Sequence, residues 1–74
     1  MTSNESDAVA LLIQLTKLLE RVNTIDKLDR IAERVEVEKK NMPNVFKFSE
    51  KVKSANSEFY AAHQTRKLEI ELGV

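Results

Sequence analysis

Apolar residues in the first third of the chain recur at Leu11, Leu15, Leu18, Val22 and Ile25. The gaps alternate four and three, the spacing of a helical heptad. Ala8, Leu12 and Leu19 widen the stripe on one side. At about 100° per residue the combined face is about 140° wide, broader than the seam of a two-stranded coil. It suits a bundle of three or more helices. A second heptad seam runs through Val45, Phe48, Val52, Ala55, Phe59 and Ala62. There the small Ala55 and Ala62 alternate with the bulky Phe48 and Phe59, so a facing helix can approach closely at two levels. Beyond Ala62 the same seam reaches Arg66 and Glu69 and becomes polar.

Between the two seams the apolar phase shifts to Leu28, Ile31, Ala32 and Val35, while Asp29, Glu33 and Glu36 take the direction of the first stripe. Two readings are open. The first helix continues with a drifting seam, or it breaks near Asn23 and restarts with Asn23 or Thr24 as its cap and Asp26 in its first turn. The continuous form is favoured, because no Gly or Pro enforces a break. Lys39-Lys40-Asn41-Met42-Pro43-Asn44 is the clearest punctuation. Lysines suit the negative end of a helix, Asn41 suits a helix terminus, and Pro43 cannot continue one from an interior position. Two stretches, 35–38 and 68–72, alternate with period two as half-buried strands do. Helix is retained for both, since Glu and Leu are good helix formers.

The pattern therefore predicts a single all-α domain, a coiled-coil-like antiparallel helical hairpin that assembles into a larger helical bundle. Its parts are a flexible N-terminus over 1–5, a helix over 6–40, a loop over 41–44 and a helix over 45–72. Asn4 and Ser6 are the candidate caps of the first helix. In a hairpin symmetric about Pro43, much of the wide N-terminal face lacks an internal partner. Leu11, Leu12, Leu15, Leu18, Leu19, Val22 and Ile25 are then the expected partner interface. Val45, Phe48, Val52, Ala55, Phe59 and Ala62 are the expected hairpin seam.

Size strengthens the expectation of a partner. Folding a compact chain of this mass removes roughly 7,500 Å² from water, worth on the order of 110 kcal/mol if about 60% is apolar. Ordering 74 residues costs on the order of 110 kcal/mol at ~1.5 kcal/mol each. With no Cys in the chain, disulfides and thiolate metal sites cannot offset the balance, and association with another chain is the usual remaining support.

Candidate chemistry is sparse. His63 is the only histidine. Glu58 and Glu69 fall on other sides of the helix and Arg66 and Lys67 sit close, so a flank position beside the seam is expected, not a general base. Asp26, Asp29, Glu33 and Glu36 share one helical face and could attract a hard cation. Arg30, Arg34, Lys39 and Lys40 lie within a turn or two, which favours a solvated, self-paired face. Lys47, Lys51 and Lys53 near Phe46 and Phe48 loosely resemble a basic-aromatic nucleic-acid surface. Twelve basic and twelve acidic side chains cancel, however, and leave little charge to release counterions. One Gly gives no phosphate-cradling loop. No catalytic, metal or cofactor site is expected.

The expected function is thus a non-enzymatic protein–protein interaction module: a small helical subunit, adaptor or co-chaperone that completes a bundle with itself or a partner protein. The alternative is a compact three-helix nucleic-acid-binding or regulatory domain, with the break near Asn23. Nucleic acid is the less favoured partner. No membrane insertion is expected, since the most apolar run, 8–19, is too short to span a bilayer. The start carries no targeting signal, which makes a cytoplasmic or nuclear setting the default.

Overall fold

A computed structural model describes residues 3–73. The chain forms four helices: α1 Ser3–Leu19, α2 Ile25–Asn41, α3 Pro43–Phe48 and α4 Glu50–Leu72. Among the described residues there is no strand, and both stretches with period-two alternation, 35–38 and 68–72, are helical.

The first helix breaks. After Leu19 the amides of Glu20, Arg21 and Val22 each bond three residues back, to Lys17, Leu18 and Leu19, at 3.2, 3.0 and 3.3 Å. This tightened turn ends α1. Val22 then drops into the core at 6% exposure. Thr24 adopts an extended conformation and its Oγ1 accepts from the Lys27 amide, capping α2 with Asp26 in its first turn. Neither Gly nor Pro is involved. A buried valine and a capping threonine are enough, so the expectation of a continuous helix over 6–40 is corrected to two helices. The 41–44 loop shrinks as well. Met42 alone separates α2 from α3, and Pro43 is the first residue of α3, where its missing N–H costs nothing.

Ser49 divides the expected 45–72 helix into α3 and α4. Its Oγ accepts from the Val52 amide at 3.3 Å and so caps α4. The same hydroxyl donates to the Glu5 carboxylate on α1. At the other end Gly73, at φ 75°, closes α4 in the left-handed conformation that glycine adopts without strain. Residues 3–5, expected to be flexible, are helical, and residues 1 and 2 lie outside the described range. Asn4 and Ser6 consequently sit inside the first turn of α1 and do not cap it.

The Glu5–Ser49 bond lies at the start of both α1 and α4, and a bond from Arg66, six residues before the end of α4, reaches the Val22 carbonyl just past the end of α1. Both pairs are separated by 44 residues. α1 and α4 therefore run parallel and in constant register, with α2 antiparallel between them. This is an up–down–up three-helix bundle with α3 as a one-turn corner, not a two-helix hairpin. α1 and α4 share the most extensive interface. The core comprises Ala8, Leu12, Leu19 and Val22 with Leu28, Ile31 and Val35 from α2 and Val52 and Phe59 from α4. The whole measures 42 × 17 × 16 Å.

Candidate interaction surface

The three long helices present the expected interface residues very unequally. Leu12, Leu19 and Val22 are buried against this chain's own helices. Leu11, Leu15 and Ile25 are half-buried. Leu18 stands 43% exposed. The stripe is rotated by about one residue from the expected seam: of the pairs Leu11-Leu12 and Leu18-Leu19, the second member faces α4 and α2. Both phases are equally apolar in the sequence, so spacing alone could not choose between them.

The second seam also divides. Val52 and Phe59 are fully buried, and Ala55, Ala62 and Val45 are half-buried. Phe48 is 68% exposed and is not a seam residue. The interruption at Ser49 moves it out of phase with α4, and the Lys47 ammonium lies 5.4 Å from the Phe48 ring centre. Phe46 packs on the core in its place.

Between α2 and α4 the aromatic side chains make a polar seam that sequence spacing did not reveal. The Tyr60 hydroxyl donates to the Glu36 carboxylate, and Lys39 sits both beside that carboxylate at 3.4 Å and over the Tyr60 ring. The hydrogen bond from Tyr60 holds the Glu36 carboxyl below its usual value of 4.5. Partial burial, followed by the same bond, raises the Tyr60 hydroxyl well above 10.0. One turn further along, His63 is nearly buried and packs on Phe59 and Tyr60. Its Nε2 lacks a hydrogen-bond partner, and Asp29 Oδ1 is 4.0 Å away. Asp29 is remote in sequence, which is why only near neighbours of His63 could be weighed there. Asn56 Oδ1 is likewise buried without a partner.

The four carboxylates expected on one face do not form a cation site. Glu36 pairs with Tyr60 and Lys39, and Asp29 points toward His63. Among the described residues no three His, Cys, Asp or Glu side chains converge on a point. Of the lysines near Phe46 and Phe48, Lys53 pairs with Glu50 at 3.4 Å.

Arg66 has a role the sequence did not show. Its Nε donates to the Val22 carbonyl and one terminal nitrogen to Asn23 Oδ1, each at 3.0 Å, while the other reaches Glu69 at 3.2 Å. One guanidinium thus fastens the α1–α2 turn to α4.

Open grooves flank α1. One, against α4, is floored by Leu19, walled by Thr16, Ala61, Ala62 and Thr65, and rimmed by Glu20, Arg66 and Glu69. Another, against α2, holds about 380 Å³ and is lined by Leu18, Arg21, Val22, Lys27, Arg30 and Ile31. The large apolar side chains left exposed are Ile13, Leu18, Val37, Phe48, Leu68 and Leu72. No described helix is long and apolar enough to cross a membrane. No protein-family model, curated protein or solved structure matches the chain.

Proposed function

We propose that the chain is a non-enzymatic protein–protein interaction module, a small helical subunit or adaptor. The observation that supports this reading most directly is the set of large apolar side chains outside a core that is already complete. Leu18, Leu68 and Leu72, at 43%, 57% and 74% exposure, lie toward the end of the bundle where α1 and α4 finish and α2 begins, Leu18 in the α1–α2 groove and the other two on α4. Scattered exposed leucines need no explanation, but a group at one end of so small a bundle is a contact surface. The partner is protein, either a second copy or another chain, and the setting is the cytoplasm or nucleus.

The test is the native size of the chain in extracts of cells that produce it. The expected result is a species larger than a lone 8.5 kDa chain that returns to monomer size with Leu18→Ser combined with Leu68→Ser. A chain that runs as a monomer in the extract, unaffected by these changes, overturns the reading.

A second reading is favoured by one observation. The α1–α2 groove is lined by Arg21, Lys27 and Arg30 with no carboxylate among its lining residues, and the compact three-helix form carries it. Such a surface also suits a nucleic-acid backbone. The apolar floor and the zero net charge argue against it. Sub-micromolar binding to DNA or RNA at ~150 mM salt would make this the leading reading, whereas binding that vanishes there leaves the protein-interaction reading in place.

A further inference from the structure

The α1–α2 groove and the end of α4 are complementary in polarity and charge. The groove has an apolar floor, Leu18, Val22 and Ile31, and a cationic rim, Arg21, Lys27 and Arg30. Among the described residues none of these three cations is paired with a carboxylate. A cationic rim over an apolar floor selects an amphipathic segment with acidic flanks. This chain displays one. Arg66 lies beside Val22, and α4 runs six residues further to Leu72, about 9 Å at 1.5 Å per residue, with Ile70 still packed on this chain's own core and Leu68 and Leu72 turned away from it. On that tip Leu68 and Leu72 stand one turn apart, strongly exposed, with the exposed Glu71 beside them.

We infer that the α1–α2 groove is the docking site for the α4 tip, residues 68–72, of a second copy of this chain. The placement allows a closed pair. α1, α2 and α4 pack on one another, so the outer α1–α2 groove faces away from α4. The groove and the tip lie at the same end of the rod. A two-fold axis across that end carries each tip over the other copy's groove, and both sites are filled in one dimer. Leu68 and Leu72 enter the apolar floor, and Glu71 meets the Arg21–Arg30 rim. Two short tips bury much less than the ~1,200 Å² of a standard stable interface, so the dimer is weak, with a Kd on the order of 10–500 μM.

This inference rests on the interaction-module reading and names its partner. Sedimentation equilibrium of the full chain from ~10 μM to ~1 mM tests it. The weight-average mass is expected to rise from 8.5 kDa toward twice that value and no further, and to rise less in high salt. Leu68→Ser with Leu72→Ser, and separately Arg21→Glu with Arg30→Glu, should each hold the chain monomeric at unchanged helicity. An equimolar mixture of the two variants should associate more than either variant alone and less than wild type, because one intact tip then meets one intact groove. If the double tip variant loses helicity, Leu72→Ala in the last turn replaces it. A constant mass up to ~1 mM, assembly beyond the dimer, or full dimerisation of the tip variant each overturns the inference. A monomeric purified chain that still runs as a larger species in the cell extract removes this inference alone. A monomer in both removes the interaction reading as well.

Discussion

Phe48 and Phe59 fall on one heptad seam, yet the first is 68% exposed and the second is sealed. Phe59→Ala should destabilise by ~3–5 kcal/mol, enough to unfold a domain of this size at room temperature. Phe48→Ala should fall within ~0.5 kcal/mol of wild type, as surface changes do. Chemical denaturation of the two variants checks the contrast, and equal costs would place Ser49 inside a continuous helix. The Tyr60–Glu36 bond yields a pH signature. Because the Glu36 carboxyl is lowered from 4.5, chiefly by the Tyr60 hydroxyl, its contribution to stability is present above that value and is lost as pH falls through the lower folded one. The Tyr60 hydroxyl is raised above 10.0, so its own contribution is present below pH 10 and is lost as pH rises beyond it. The gap in melting temperature between wild type and Tyr60→Phe should thus be flat from about pH 6 to pH 9 and close toward acid. A gap that persists unchanged at about pH 2 would show that the bond contributes nothing through ionisation.

Helices differ in how plainly they announce themselves. The helical character of residues 25–41 and 50–72 was legible, though not their starts at Ile25 and Glu50, because apolar spacing, the Pro43 punctuation and good helix formers agree. The break after Leu19 was visible only as a phase shift and a possible Thr24 cap, both compatible with a drifting seam. What decides it is tertiary: Val22 is buried by the other helices, and Arg66, 44 residues away, satisfies the carbonyl that the broken helix leaves free. Exposure was legible to the same degree: Leu12 and Leu19 could not be told from Leu18 by spacing, and residues 68–72, kept as helix against their period-two alternation, gave no sign that Leu68 and Leu72 stand exposed. Arg66→Ala should cost about 1–3 kcal/mol by stripping two bonds from the α1–α2 turn. Hydrogen exchange at residues 20–24 should speed up more than exchange at 52–59. Arg66→Lys should recover only part of the loss, since an ammonium cannot span both acceptors in the guanidinium's fork geometry. Uniform loss of protection across all helices would reassign Arg66 from a local fastener to a general packing residue.

At the scale of the molecule, elongation keeps stability marginal. The accessible surface is 5164 Å², against roughly 4,600 Å² for a compact globule of this mass. The surplus is spread along a rod 42 Å long and only 17 Å wide. A bundle of this shape gains from any contact that covers its end, which is where the exposed Leu68 and Leu72 stand on the last turns of α4.

The shared direction of α1 and α4 also constrains how the chain reaches its fold. A hairpin can zip from its turn, each new contact closing a loop only slightly longer than the last. Here the most extensive interface joins helices whose matched residues lie 44 positions apart at both ends. No growing turn leads into it. A loop of that length must be closed in a single event, at a length-dependent entropy of about 3 kcal/mol, with α2 already folded back as the crossover. The rate-limiting encounter is accordingly the docking of α4 onto α1 and α2. Substitutions at Leu12 and Phe59 should slow refolding in stopped-flow measurements, whereas loss of the Thr24 cap should act mainly on helix content before that encounter.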